Sequence, residues 1–322
     1  MFEHERRNPR AEASALLGPG RLGLVLEPSP PSTHTGPWFA DAPVARPVTD
    51  GSVVVVSPVD TGDLSWDEAI GNDEQLAAFA RDHWLGNLKT LPAPPDSLAA
   101  TRASLAALAF NVLAPARQQV NGKIGLRWTK GGFGTPFFGD DRQVRVEGDR
   151  LVVQTSSEAI AAPITTLRAA GERVGIAPGP PQAIDFHDPP EPVDLDALLP
   201  VDPASVGFLD DWFAFGTLVL ERLLVRAGSP DDTRVQLWAE HFDVAAELGE
   251  TASETRATYG LSPGDGSIPM PYLYVSPWSP QTGNLWDAPF GGAALTLDQL
   301  LRTHDQTTSA LRFFERAREA IR

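Results

Sequence analysis

Four consecutive residues, Glu240-His241-Phe242-Asp243, place three ionisable side chains around one phenylalanine. If this segment is a strand, its side chains alternate between two faces, so His241 and Asp243 share one face with Cα atoms roughly 7 Å apart. A histidine and a carboxylate at that spacing can share a metal ion. The other interpretation is a structural pair on a half-exposed sheet. Because two ligands are too few for a metal site, we expect the structural pair unless a third ligand reaches this face.

A proline-rich segment further upstream offers that third ligand. Asp185, His187 and Asp188 lie around Phe186 in the sequence. If this segment lay beside His241, two histidines and several carboxylates would converge, and such a set suits zinc, manganese or iron. A solvated acidic loop is the alternative. His187 is therefore the third candidate metal ligand, and a divalent metal is the candidate cofactor.

Positive charge gathers in the segment NGKIGLRWTKGGFGTPFFGDD, residues 121–141. Its first eight residues alternate, which predicts a strand with Lys123 and Arg127 on one face. The backbone amides of the glycine-rich loop that follows could form an anion-binding concavity. The loop matches neither the GxxxxGK[ST] nor the GxGxxG phosphate-binding pattern, so a hairpin loop with surface cations is the alternative. Lys123 and Arg127 are the candidate residues for an anionic ligand.

An aromatic site is suggested by YGLSPGDGSIPMPYLYVSPW, residues 259–278. Residues 262–265 fit a type II turn, because proline occupies the second position and glycine the third. Tyr272 and Tyr274 then share one face of a strand and could line a pocket for an aromatic ligand, with Asp265 as a polar group nearby. Packing in the core or at its rim is the more common role of such tyrosines.

Helices and strands come in separate blocks, which predicts an α+β fold with mainly antiparallel sheet. A long helix is expected after Ser97 until Pro115 disturbs it, and a second over residues 205–228. Each is followed by a meander of strands and a further helix, so the two halves could be similar. Four segments are expected: residues 1–90 with short strands and a helix at 73–88, residues 91–176, a proline-rich acidic connector at 177–204, and residues 205–322.

Composition excludes several classes of function. The net charge of −16 and pI of about 4.7 argue against binding to nucleic acid and to an anionic membrane surface. The absence of cysteine removes disulfides, thiolate metal sites and thiol nucleophiles. No apolar run of membrane-spanning length is evident, so a cytoplasmic location is expected. The 26 basic residues include only three lysines, a bias typical of a bacterial protein from a genome rich in G and C.

Several short motifs resemble those of one family. In order they read TRASL, NGKIGL, HFDVA, YGLSPGD and PYLYVSPW, and they look like an uncharacterised bacterial, actinobacterial-type family that carries a domain of unknown function. The resemblance covers roughly residues 97–280. The matching positions are Thr101, Leu105, Gly122, Lys123, Leu126, Phe242, Asp243, Ala245, Ser262, Pro263, Gly264, Tyr272 and Tyr274. The chain departs from the family at Ala106, where members carry a histidine, and it lacks their loop rich in histidine and tryptophan.

The resemblance implies no established activity, and the residues leave three functions open, the last of which is a purely structural partner of another protein. The first is a small-molecule binding or interaction protein, with an anionic or aromatic ligand near Lys123, Arg127 and Tyr272. The second is a metal-assisted hydrolase, in which a metal bound by His241 and Asp243 activates water. The first is favoured because no nucleophile, base and orienting group form a complete set in the sequence. Catalytic residues and oligomeric state remain unassigned.

Overall fold

A computed structural model describes most of the chain after residue 90. The described residues are 24–27, 45–47, 53–58, 90–129, 131–136, 138, 142–154, 159–184, 186, 190–227, 232–233 and 235–321. The helix expected at residues 73–88 lies outside them, as do Asp185, His187 and Asp188. Two of the short strands expected near the N-terminus are confirmed. They belong to a three-stranded antiparallel sheet of order β1-β3-β2, made of β1 (Leu24–Glu27), β2 (Ala45–Pro47) and β3 (Val53–Pro58).

The first long helix does not stop at Pro115. It runs as α1 (Leu98–Leu108), one π-helical turn (Ala109–Leu113) and α2 (Ala114–Asn121), and it ends at Gly122 with a left-handed φ of +75°. The π-helical turn places Pro115 in the first turn of α2, where its missing N–H breaks no helical hydrogen bond. By length and composition, Leu98–Asn121 passes as a membrane span, but 67% of its most apolar stretch is buried inside the protein. A core helix of a soluble protein has this property.

The first five-stranded sheet follows at once and is antiparallel throughout. Its elements are β4 (Arg127–Thr129), β5 (Gly132–Gly134), β6 (Gln143–Glu147), β7 (Arg150–Gln154) and β8 (Ala159–Pro163), and then comes α3 (Leu167–Val174). The hairpin turn between β6 and β7 lies at Gly148, whose φ is +58°. The strand expected from residue 121 begins only at Arg127, because α2 continues to Asn121. Lys123 therefore lies in a connection and not on a strand.

The second half begins with α4 (Pro203–Ala227). The aromatic residues of this helix are buried: Phe208, Trp212, Phe213 and Phe215. Its elements after α4 are β9 (Gln236–Trp238), β10 (Asp243–Leu248), β11 (Ala257–Ser262), β12 (Tyr272–Pro277), β13 (Ala293–Thr296), α5 (Leu297–Leu301) and α6 (Gln306–Ala320). The five strands are antiparallel in chain order. The capping box at Thr296 and Gln299 is present. The order of elements recurs between the halves, while their similarity in three dimensions stays a prediction.

One antiparallel bridge joins the two sheets. Leu126 beside β4 and Leu237 in β9 exchange two backbone hydrogen bonds of 2.8 Å each. The first strands of the two halves are thus neighbours, and β13 and β8 are the outer strands of a ten-strand series. Since register partners point to the same side of a sheet, the bridge also aligns the faces of the two sheets.

The two faces of this series differ in chemistry. Apolar side chains on one face pack against the helices: Phe213 of α4 meets Phe133 and Phe242 at ring distances of 6.2 and 5.3 Å, and Phe314 of α6 meets Tyr259 at 5.8 Å. The opposite face, called here the polar face, carries side chains that are mostly polar and mostly buried. Its residues include Arg127, Gln143, Arg145, Gln236, Asp243, Glu247, Gly260, Ser262, Tyr272 and Tyr274. The α+β class with antiparallel sheets is therefore the fold of this protein.

Candidate functional site: an acidic and aromatic cluster on the polar face

The segment EHFD is a turn followed by the first residue of a strand. Residues 239–242 connect β9 to β10, and Phe242 adopts a positive φ of +53° while its ring is buried against Phe133. Apolar side chains occupy odd positions up to Ala239 and even positions from Phe242 onward, and the turn explains this change at Glu240. It also separates the two residues expected on one strand face: His241 is exposed in the turn, whereas Asp243 begins β10 and is 3% exposed.

Asp243 is held by Tyr274, which lies two strands away in β12. The strand between them, β11, has Gly260 directly opposite Tyr274. A Cβ atom at Gly260 would lie 2.5 Å from Cε1 and Cζ of Tyr274 and 2.6 Å from its hydroxyl oxygen. The tyrosine ring therefore crosses β11 over the glycine, and its hydroxyl donates a hydrogen bond to Oδ2 of Asp243. Glycine at position 260 is what makes this contact across β11 sterically possible.

The second carboxylate oxygen of Asp243, Oδ1, has no hydrogen-bond partner among the described residues. Burial raises the pKa of Asp243, and the charge of Asp265 raises it further; His241 and the hydrogen bond from Tyr274 act in the opposite direction. Burial and the neighbouring Asp243 carboxylate raise the pKa of Tyr274 well above its ordinary value, so this phenol is a donor at neutral pH. A buried carboxylate with an unpartnered oxygen is costly and indicates that another group completes the site.

A second carboxylate and phenol lie beside the first pair. The hydroxyl of Tyr272 donates to Oδ2 of Asp265, and Oδ1 of Asp265 accepts the backbone N–H groups of Ser267 and Ile268 at 2.7 and 2.8 Å. Burial, followed by the carboxylate of Asp265, raises the pKa of Tyr272. The loop that carries Asp265 is thus ordered by the side chain of Asp265 itself.

Arg102 of α1 attaches this loop to the helical layer. Its Nη1 donates to the carbonyl oxygens of Pro263 and Pro269, each at 3.0 Å. Burial lowers the pKa of Arg102, and the charge of Asp265 opposes that shift. Between the two prolines, Gly264 has a φ of +98°, as expected for the third position of a type II turn.

Three aromatic rings complete the group. Phe290, in the loop after β12, lies 6.1 Å from the ring of Tyr272 and 6.0 Å from that of Tyr274, and the two tyrosine rings are 6.0 Å apart. Phe290 is 37% exposed, whereas Tyr272 is 5% exposed. We call Asp243, Asp265, Tyr272, Tyr274 and Phe290 the acidic–aromatic cluster. It combines hydrogen-bond acceptors, negative charge and aromatic surface next to solvent.

The structure does not bring the expected cations to this cluster. Lys123 is exposed in the connection before β4, and Arg127 is half-buried within β4. The register places Arg127 in one row with Gln236, Gly260 and Tyr274 on the polar face. Arg127 and Tyr274 are four strand spacings apart, which is roughly 19 Å. A small ligand cannot contact both, so an anionic group held by Arg127 would not reach Tyr274.

The metal site stays a prediction. In the part of the chain that the structure describes, no group of three or more His, Cys, Asp or Glu side chains could hold a metal ion. His241 and Asp243 are neighbours, but the third expected ligand, His187, lies outside that part.

Another buried charge pair on the polar face lies apart from the cluster. Arg256 of the segment before β11 contacts Oε2 of Glu247 at 2.6 Å, with both side chains less than 10% exposed. The guanidinium of Arg256 also lies 4.9 Å from the ring centre of Trp278. The guanidinium of Arg256 pairs with the carboxylate of Glu247, and this pairing allows Glu247 to be buried in β10.

Asp210 of α4 is a half-buried carboxylate on the helical side. Its Oδ1 accepts hydrogen bonds from the indole Nε1 of Trp128 at 2.7 Å and from the backbone N–H of Gly131 at 3.0 Å. Burial raises the pKa of Asp210 to about 6, and the nearby Asp211 adds to that rise. Asp210 ties the turn between β4 and β5 to the central helix.

Sequence reasoning found Tyr272, Tyr274 and Asp265 but missed how Asp243 joins them. It also missed Phe290, whose loop has no periodic pattern. One sequence signal was available: a glycine inside a strand marks a place where another group approaches the backbone closely, and Gly260 is such a residue. Comparisons of the chain with protein-family models, with curated proteins and with solved structures gave no match. The resemblance to an uncharacterised bacterial family therefore stays a prediction.

Proposed function

We propose that this protein binds a small organic molecule at the acidic–aromatic cluster. The observation that supports the proposal most directly is Oδ1 of Asp243, a buried carboxylate oxygen without a partner among the described residues. Leaving such an oxygen unmet costs about 1–3 kcal/mol or more. A hydrogen-bond donor on a ligand would remove that cost.

The aromatic members of the cluster supply the apolar contact that a ligand needs. Binding sites commonly combine aromatic walls with a few placed polar groups. Phe290 is the member nearest to solvent, so a ligand would contact its ring first and reach the tyrosines behind it. The two carboxylates, each bonded by a phenol, would then set the orientation of its polar end. An aromatic or similarly flat apolar body suits these walls best.

Three probes with a phenyl ring and a short linker test the proposal: phenethylamine, 2-phenylethanol and phenylacetate. We expect at least one of them to raise the thermal midpoint of the wild-type protein and to bind with a Kd below about 1 mM in calorimetry. Tyr274→Ala should abolish that binding, because it removes both a wall and the partner of Asp243. Trp278→Ala is the matched control, since Trp278 is an exposed aromatic residue that packs on Arg256 outside the cluster.

Two results would refute the proposal. One is that none of the three probes binds to the wild-type protein. The other is that binding occurs but is equally strong in the Tyr274→Ala variant, which would place the ligand elsewhere.

A further inference from the structure

We propose that the ligand of the acidic–aromatic cluster is an organic cation whose ammonium group pairs with Asp243. This inference rests on the proposed function and adds the charge of the ligand to it. The sequence favoured an anionic or aromatic ligand. The cluster still favours an aromatic ligand, but its carboxylates favour a positive charge on that ligand and not a negative one.

The charges around the two tyrosines are mostly negative. The carboxylates of Asp243, Asp265 and Glu240 all act on Tyr272 or Tyr274. The guanidinium of Arg102 also acts on Tyr272, but it donates to two carbonyl oxygens of the adjoining loop. An anionic ligand would therefore be repelled here, and a cation would be attracted.

Asp243 is the group best placed to be the counter-ion. Oδ2 already accepts the hydroxyl of Tyr274, and Oδ1 remains for a donor from the ligand. The exposed side chain of His241 also acts on Asp243 from the turn before β10. Asp265, by contrast, has both oxygens bonded, to Tyr272 and to two backbone N–H groups. Of these two carboxylates, Asp243 is the one with a buried oxygen that has no hydrogen-bond partner among the described residues.

The rings favour an organic cation over a metal ion. The rings of Tyr272, Tyr274 and Phe290 lie 6.0–6.1 Å from one another, and an aromatic face attracts an ammonium group that has partly lost its water. A divalent metal ion instead needs several oxygen or nitrogen ligands at short distance. The described residues provide no set of three acidic or imidazole ligands.

Pairing with a cation should change the protonation of Asp243. Burial raises its pKa in the free protein, whereas a bound ammonium group favours the ionised form. Binding should therefore release a proton, and affinity should rise with pH until Asp243 is fully ionised. The titratable groups that face Asp243 are His241, Glu240, Asp265 and the phenols of Tyr272 and Tyr274.

The test compares phenethylamine with 2-phenylethanol, which has a similar shape but no charge. At neutral pH we expect the amine to bind the wild-type protein at least about tenfold more tightly. Asp243→Asn keeps an acceptor for Tyr274 and removes the charge, so the ratio of the two affinities should fall towards one. Asp298→Asn is the matched control, because it removes the same charge from an exposed position in α5 and should leave the ratio unchanged.

A second measurement needs no variant. Calorimetry of phenethylamine binding at a series of pH values, each in two buffers of different ionisation enthalpy, gives the number of protons exchanged. We expect proton release wherever the free carboxyl group of Asp243 is still protonated and none once it is fully ionised. Proton uptake, or no exchange at any pH together with equal affinities for amine and alcohol, would overturn the inference.

The possible failures are distinguishable. If the alcohol binds as well as the amine and both depend on Tyr274, the cation inference is wrong and the proposed function stands. If no phenyl probe binds, both fail. If zinc chloride stabilises the protein through His241 and Asp243 while the amine has no effect, the inference is wrong and the metal-dependent hydrolase is supported instead.

Discussion

Replacing Gly260 by alanine should separate Tyr274 from Asp243. The added methyl group would lie 2.5–2.6 Å from three atoms of the Tyr274 side chain, far inside van der Waals contact. The ring must then move off β11, and its hydroxyl can no longer reach the carboxylate two strands away. Asp243 would be left buried with neither oxygen bonded to Tyr274.

The expected cost follows from these contacts. Forcing an extra methyl group into a packed site costs about 1–3 kcal/mol, and losing a hydrogen bond to a buried charged group costs about 1.5–3 kcal/mol. Alanine restricts the unfolded chain more than glycine does, which raises the free energy of unfolding by about 0.4–1 kcal/mol. We therefore expect the free energy of unfolding to fall by about 1.5–5.5 kcal/mol. Phenethylamine binding should weaken as well, because Asp243 and Tyr274 no longer form one site.

The assay is a double-mutant cycle of Gly260→Ala with Tyr274→Ala, followed by chemical denaturation. Without the ring, the alanine at position 260 has nothing to displace, so its cost should vanish and the coupling energy should be about 2 kcal/mol or more. Gly207→Ala in α4 is the control, because a Cβ there meets no atom within 4 Å; it should stabilise the helix by about 0.5–1 kcal/mol. If Gly260→Ala costs as much without the tyrosine ring as with it, the placement of Tyr274 over β11 is refuted.

Two further predictions concern buried charges outside the cluster. Because the pKa of Asp210 is raised to about 6, the folded state holds a proton that the unfolded state has already released. Stability should therefore fall as the pH rises from about 4 to 6. Asp210→Asn keeps an acceptor for Trp128, so thermal denaturation at several pH values should show that fall removed and greater stability at neutral pH; an unchanged profile would contradict this assignment. Arg256→Met should lower the free energy of unfolding by about 3–5 kcal/mol, because Glu247 stays buried without its guanidinium partner. Adding Glu247→Gln should recover part of that loss in chemical denaturation, and no recovery would show that the charge pair is not the cause.

Local patterns in the sequence were enough for the fold class. Alternation placed Tyr272 and Tyr274 on a strand, and residues 262–265 predicted the turn at Gly264. These features depend on neighbours a few residues apart, which is why they are readable from the chain alone. The boundary at Pro115 was wrong because a π-helical turn, which no local signal announces, moved the proline into a tolerated position.

The composition of the candidate site was partly readable in the same way. Strand periodicity put Tyr272 and Tyr274 on one face, and the turn chemistry around Gly264 placed Asp265 near them. Periodicity failed for Lys123 and His241, because both lie in connections and not in strands. Side chains alternate between two faces only within a strand. Because neither residue lies in a strand, the predicted shared faces, Lys123 with Arg127 and His241 with Asp243, do not form.

The tertiary structure alone decided which carboxylate meets which phenol. The sequence fixes the side of a strand on which a residue lies, but the pairing and register of β10, β11 and β12 are long-range properties. They place Asp243 and Tyr274, 31 residues apart, on either side of a glycine that lets one reach the other. The same long-range pairing joins Leu126 to Leu237 and so keeps Arg127 four strand spacings away from Tyr274. Residue types determined what chemistry was available, and strand register determined which of those residues could act together.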